Sequence, residues 1–299
     1  MTDHTKSDLL SNILVAHRLR AQVFHHQEFC GAWQINTSGS RRTTFHVVGQ
    51  GACWLHMGAR APIPLGAGDV LVFPHDASHV LSGSAEPGVS VAPNEAATTI
   101  LCGYLDFDVS GPNLVLVALP ELILMRAEKV TGFDAVGPLV RLIMSEASAD
   151  RSGRQAVIDK LSDALFVMVL RYYIETASDP RGLFAALADH RLQKAISALS
   201  RAPAHPWRLE DLAQTAGMSR TAFAATFHRL VGCTPMQYLV QWRMQQATEL
   251  LRDPRLSVAT VAKKVGYDAE AAFRRAYRRL CGVGPGAIRR AAAATFEMP

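Results

Sequence analysis

Residues 209–231 read LEDLAQTAGMSRTAFAATFHRLV, and residues 258–281 read VATVAKKVGYDAEAAFRRAYRRLC. The two stretches are one pattern written twice. Leu209, Leu212, Ala213, Ala216 and Gly217 match Val258, Val261, Ala262, Val265 and Gly266 at an offset of 49. Phe223, Phe227, Leu230, Gly232 and Pro235 match Phe273, Tyr277, Leu280, Gly282 and Pro285 at an offset of 50. One residue has been gained in the turn. The first four apolar positions fall at i, i+3, i+4 and i+7, one face of a short helix. Glycine then permits a sharp turn. Apolar residues at i, i+4 and i+7 anchor a second helix, which closes on glycine with proline soon after. The pattern predicts two helix-turn-helix units.

With Phe223, Phe227 and Leu230 turned inward, a 3.6-residue period turns Thr221, Ala225, His228 and Arg229 outward. In the second copy the same geometry exposes Ala271, Arg275, Arg278 and Arg279, with Arg274 on the flank. A basic face on the second helix of such a unit suits entry into a DNA major groove. An ordinary solvated charged face is the plainer alternative, and duplication weighs against it. Residues 181–299 hold 18 Lys+Arg against 8 Asp+Glu, a balance of +10, whereas residues 1–180 hold 13 against 18, a balance of −5. A polyanionic partner is therefore expected for one half of the chain only.

At these residues the chain resembles the AraC/XylS family of bacterial transcription regulators, from Trp207 to Arg290. The resemblance implies two helix-turn-helix units joined by one long helix, here about 235–252, entering successive major-groove segments on one face of the duplex. It assigns base reading to Thr221 and Ala225 in the first unit and to Glu270, Ala271 and Arg275 in the second. Together with the outward faces, the candidate DNA contacts are Arg220, Thr221, Ala225, His228, Arg229, Glu270, Ala271, Arg274, Arg275, Arg278 and Arg279. Ala225, one of the outward positions of the first unit, is an alanine. That unit's share reduces to contact with thymine methyls and phosphate anchoring.

The N-terminal half has a different texture. Short β-type runs at 43–48, 52–57, 70–73, 79–82 and 98–107 alternate with turns such as Gly49-Gln50-Gly51 and Gly66-Ala67-Gly68-Asp69. Many short strands with glycine turns predict a sandwich or small barrel. The spacing Gly68, Pro74, His79 resembles the second motif of the cupin barrel, with Asp76 where that motif has glycine. The stretch TTFHVVGQGACWL lies where the first motif belongs; it keeps His46 and lacks the second histidine and the glutamate. AraC-type regulators commonly carry such a domain in front. The implied pocket residues are His46, Trp54, His79 and Cys102. A zinc site of His46, His79 and Cys102 is chemically reasonable, beside the alternative that both histidines are hydrogen-bonded core groups. Cys30 and Cys102 are a further candidate, as a redox pair. Between 112 and 180 the pattern turns helical. Val157, Leu161, Leu165, Met168 and Tyr172 form a stripe for packing on the barrel or for dimerisation, and residues 181–201 read as one amphipathic helix.

The expected architecture is α+β in two domains: a cupin-like β-barrel at 1–112, a helical connector at 113–180 and an all-α double helix-turn-helix domain at 181–299. Hydrophobic content of 49% with 19% charged residues is ordinary for a soluble globular protein. No run of 18 apolar residues occurs, so no membrane span is expected. Residues 1–20 carry early acids and late bases, the wrong order for a signal peptide, and read as an amphipathic helix. Five scattered cysteines fit reduced thiols in a cytoplasm. The reading is a non-enzymatic regulator of promoter DNA, homodimeric, answering a small-molecule, redox or metal cue, with RNA polymerase as partner if it activates. The rivals are a cupin metalloenzyme fused to a DNA module and a ligand-independent DNA-binding regulator.

Overall fold

The computed structural model describes residues 10–11, 19–86, 97–107, 113–127, 135–177 and 182–296. Most of the amphipathic helix expected at 1–20 lies outside them. The described chain divides into two compact units, one built around residues 19–106 and 119–178, the other around 107–118 and 179–299. The two-domain α+β organisation expected from sequence is what forms.

Among the described residues the first unit holds nine strands: β1 (Leu19–Phe29), β2 (Gln34–Ile35), β3 (Thr43–Gln50), β4 (Ala52–His56), β5 (Ile63–Gly66), β6 (Val70–Phe73), β7 (Val80–Ser82), β8 (Thr98–Phe107) and β9 (Ile123–Met125). They make a five-stranded sheet, β1-β8-β3-β6-β9, and a four-stranded sheet, β2-β7-β4-β5. The apolar core includes Cys53, Leu55, Leu71, Phe73, Leu81 and Ile100. β3 is buried on both faces from Thr43 to Val48, as a strand covered on both sides must be. The helical connector supplies the outer cover. Leu165, Phe166 and Val169 of its long helix line the same small void as Phe45, Val70, Val72 and Leu105 of the sheet.

β1 stands at the sheet edge and is covered by the same helix. Asp163 Oδ1 accepts the Ala21 N–H at 2.6 Å, Asp159 Oδ1 accepts the Val23 N–H at 3.3 Å, and Gln155 Nε2 donates to Val23 O at 3.1 Å. Positions 155, 159 and 163 recur every four residues, so one helical face meets the strand. These contacts satisfy backbone groups that a bare edge would offer to another chain.

Two turns explain the barrel motif. The buried Asp69 carboxylate accepts Gly66 N and Ala127 N and pairs with Arg126. Asp76 occupies the left-handed region at φ 54°, where the cupin motif has glycine. Aspartate tolerates that conformation better than most residues, and its carboxylate is engaged by Arg41 N and Ser40 Oγ.

The connector is less uniformly helical than its sequence implies. It contains α1 (Leu114–Ala118), strand β9, α2 (Val136–Ser148) and α3 (Arg154–Thr176). β9 is too short to show a period, and pairing with β6 decides its state. The stretch read as one helix over 181–201 is two, α4 (Gly182–Ala188) and α5 (His190–Arg201), broken by Asp189. Its extended backbone and its carboxylate, accepting Arg191 N and Leu192 N, make it the N-cap of α5.

The second unit continues with α6 (Leu209–Thr215), α7 (Arg220–Val231), α8 (Pro235–Leu251), α9 (Val258–Lys264), α10 (Glu270–Cys281) and α11 (Pro285–Phe296). α6 and α7 form the first helix-turn-helix, α9 and α10 the second, and α8 joins them. Phe223 and Phe227 are buried in the first, Phe273 and Tyr277 in the second. Gly232 and Gly282 close α7 and α10 in the left-handed conformation. Thr234 and Gln237 form a capping box at the start of α8, with Pro235 in its first turn.

Candidate nucleic-acid interface and barrel cluster

The recognition helices α7 and α10 present the faces that their period requires. Thr221, Ala225, His228 and Arg229 are exposed on α7; Ala271, Arg274, Arg275, Arg278 and Arg279 are exposed on α10. Ion pairs sort the candidates further. Arg220 is exposed and reaches back to Glu210 of α6 at 3.0 Å, which ties the two helices of the first unit. Glu270 is half-buried and holds Arg274 at 2.6 Å, four residues on. Arg275, Arg278 and Arg279 have no carboxylate partner among the described residues, so their charge faces solvent. Ser219 caps α7 by accepting the Ala222 N–H, whereas Ala269, its counterpart before α10, offers no cap.

In the barrel, His46, His79 and Cys102 come together. His79 Nδ1 lies 2.7 Å from Ala77 O, and a carbonyl can only accept, so Nδ1 carries the proton. Neutral His79 then presents an unprotonated Nε2. His46 Nε2 lies 2.9 Å from that atom and donates to it, leaving His46 Nδ1 to accept from the Cys102 thiol at 3.0 Å. Thr37 Oγ1 sits 3.1 Å from both Nε2 atoms. The result is a directed chain from thiol through two imidazoles to a backbone carbonyl, with every member neutral.

Titration agrees with neutrality. Burial drives the His46 imidazole down to about 3, helped by the neighbouring His79, and burial lowers His79 as well. The Cys102 and Cys53 thiols are pushed up to about 12, again by burial. A buried thiol of this kind is a poor nucleophile.

Three expectations for this cluster need correcting. His46 turns opposite edges of one ring to His79 and Cys102, so no single ion is held by all three side chains. Among the described residues, no group of three His, Cys, Asp or Glu side chains is arranged to hold a metal. Zinc does not fit this arrangement. Trp54 does not join the cluster, because Cys53 and Leu55 point into the core and strand alternation turns Trp54 the other way. Cys30 is exposed while Cys102 is fully buried, and both thiols are free, so they do not pair. Thr37 was not legible beforehand: it lies in a polar loop, INTSGS, that matches no motif.

Comparison with known proteins follows the same division. A family model described as a cupin matches residues 8–175, and one described as a helix-turn-helix domain matches residues 212–291. An uncharacterized HTH-type transcriptional regulator of Haemophilus influenzae is 28% identical over 95% of this chain and 98% of its own. A putative AraC-like transcription regulator of Streptomyces lividans is 28% identical over the same shares.

The chain belongs to the cupin family and is an AraC-type transcriptional regulator.

The HTH-type transcriptional regulator AlkR of Acinetobacter baylyi is 27% identical over 91% of this chain and 95% of its own. In this regulator the helix-turn-helix match covers most of α6 through α11, and the cupin match covers both sheets with α2 and most of α3. No helix among the described residues is long and apolar enough to cross a membrane.

Proposed function

We propose that the regulator binds double-stranded promoter DNA by placing α7 and α10 in successive major-groove segments, with α10 the stronger base reader and α7 combining thymine-methyl contact with phosphate anchoring. The observation that carries this reading is the pair of equivalent helices exposing unequal faces: Thr221, Ala225, His228 and Arg229 on one, Ala271, Arg274, Arg275, Arg278 and Arg279 on the other. Arginine can grip guanine O6 and N7 with two hydrogen bonds, whereas alanine offers only a methyl contact. Arg220 and Glu270 serve by holding neighbouring groups. The protein acts in the cytoplasm as a regulator rather than an enzyme, and RNA polymerase is its partner where it activates.

The domain roles follow the expected division, with sensing at 1–112, dimerisation at 113–180 and DNA binding at 181–299. Leu142 of α2 and Val157 of α3 are exposed, and Leu161 and Met168 are half-buried beside them in sequence period, so this side of the connector supports a homodimer contact. The His46–His79–Cys102 chain is the best candidate for receiving the effector's signal, being polar inside an apolar core. A second reading is favoured by the filled barrel interior, where Leu55, Leu71, Phe73 and Leu81 meet. In that reading the barrel only dimerises the protein.

Selection of duplexes from a randomised pool by the full chain tests the DNA reading. Enriched sites should hold two constrained segments with centres about 10 bp apart for each chain. Enrichment of one short segment alone would contradict it. His46→Gln and His79→Gln separate the two barrel readings: variants that bind DNA but no longer answer the inducing signal support sensing, and variants that regulate normally support the second.

A further inference from the structure

Arg243 lies midway along α8, the helix between the two recognition units. Its Nε donates to Pro203 O at 2.7 Å, its Nη2 to His205 O at 3.0 Å and its Nη1 to Gly266 O at 3.3 Å. Pro203 and His205 belong to the loop leading into α6, the first helix of the first unit. Gly266 is the turn glycine of the second unit. One half-buried guanidinium therefore joins both units to the helix between them. The same group lies 5.8 Å from the Tyr267 ring, and Tyr267 packs edge-on against Phe273 in the core of α10.

The surroundings leave this junction little slack. A Cβ on Gly266 would stand 2.7 Å from Arg243 Nη2 and 2.9 Å from Ala204 Cα. The equivalent glycine of the first unit, Gly217, has nothing within 4 Å of the same construction. Both glycines have positive φ, 65° and 84°, but only Gly266 also permits a close approach. A guanidinium is a rigid fork of donors, so three carbonyls bound to it are fixed in direction as well as distance. Loosening the fork would strand polar groups that are costly to leave unpaired.

We infer that Arg243 is a positioning residue that sets the separation and rotation of the two recognition helices, and through them the base-pair spacing the regulator accepts. This rests on the reading that both helices enter DNA. One base pair added between two segments displaces the second by about 3.4 Å and turns it by about 34°. A rigid junction rejects that change, and a loosened one absorbs it.

The test uses the full chain and a duplex selected by the wild-type protein from a randomised pool, with derivatives carrying one base pair more or fewer between the segments. Wild type should bind both derivatives about tenfold or more weakly, because simultaneous engagement is lost. Arg243→Met keeps an apolar stem and removes the fork. It should bind the parent duplex more weakly yet show a spacing penalty of about threefold or less. If Arg243→Met retains the wild-type penalty, Arg243 is only a stabilising residue and the inference is overturned. Should circular dichroism show Arg243→Met to be unfolded, Arg243→Lys decides on the same duplexes, since one ammonium cannot span three separated carbonyls. A reduced penalty in the folded lysine variant supports the inference, and an unchanged one overturns it. A wild-type protein indifferent to spacing would overturn the two-helix reading itself, and the role of Arg243 with it.

Discussion

The two helix-turn-helix units share a skeleton and differ in almost everything that skeleton carries. Phe223 and Phe227 in the first correspond to Phe273 and Tyr277 in the second, and all four are buried. On the opposite face Ala225 corresponds to Arg275 and His228 to Arg278, all exposed. At the helix start, Ser219 caps where Ala269 does not. In the turn, Gly217 is free of neighbours where Gly266 is crowded by Arg243 and Ala204. Duplication has preserved what folding needs and released what recognition uses. The recognition helix of the first unit is the better capped, and that of the second carries the denser positive charge.

The shared skeleton predicts equal damage when it is broken. Phe223→Ala and Phe273→Ala should each cost about 3–5 kcal/mol of stability, the usual range for truncating a buried phenylalanine. Denaturant unfolding of the two variants checks this; a loss confined to one of them would show that the cores are not equivalent.

A second contrast sets the barrel against the helical unit. His46 is fully buried and its folded pKa is about 3, against an ordinary 6.5. As pH falls below 6.5, the unfolded chain takes a proton that the folded barrel refuses. Stability is therefore complete above that pH and is lost down to about 3, at about 1.4 kcal/mol per pH unit for one such group. The helical unit has His190, His205 and His228 exposed. Hydrogen exchange at pH 7 and pH 5, corrected for intrinsic rates, should show β3 and β8 losing protection while α8 and α10 keep theirs. Equal loss in both units would contradict the assignment, and His46→Gln should shrink the loss in the barrel.

Smaller effects sharpen the comparison of the two copies. Tyr277 Oη and Thr248 Oγ1 share a hydrogen bond at 2.6 Å, and Phe227 has no counterpart to it. Tyr277→Phe makes the second core resemble the first and should cost about 1 kcal/mol. Ser219→Ala should cost a similar amount, about 1 kcal/mol, by uncapping α7. The reverse exchange, Ala269→Ser, should gain up to about 1 kcal/mol, since Ala269 already has the extended backbone of an N-cap. Thermal melts of the three variants are sufficient, and a destabilising Ala269→Ser would refute the cap argument.

The sequence was most legible where it was periodic and repeated. The helix-turn-helix pairs follow from apolar spacing alone, because each helix buries a single face and its ends carry glycine and proline. The barrel was legible at strands flanked by glycine turns, such as β3, β6 and β8. β1 escaped notice because LRAQVFHHQEF mixes polar and apolar residues on an edge strand, and its cover comes from Asp159 and Asp163, far along the chain. β2 and β9 are too short to have a period. Trp54 could have been placed correctly, since Cys53, Leu55 and Met57 already mark the inward face at a period of two. The meeting of His46, His79 and Cys102 was legible in outline, but ring orientation was not, and orientation is what rules out a shared ion. Nothing in the sequence around Arg243 distinguishes it from an ordinary helix-surface arginine. Its partners are backbone carbonyls, which leave no mark in side-chain pattern.

The central claim is that α10 is the stronger base reader while α7 combines thymine-methyl contact with phosphate anchoring, and the equivalent residues Arg275 and Ala225 test it most directly. Affinities of wild type, Arg275→Ala and Ala225→Gly are measured on the selected duplex, on its single-base variants and on random DNA at one salt concentration. Arg275→Ala should lose about 1–3 kcal/mol on the selected duplex and lose discrimination at one base pair. Ala225→Gly should leave discrimination intact at the base pair read by Arg275. Equal losses on selected and random DNA for Arg275→Ala would make Arg275 a phosphate contact and contradict the account.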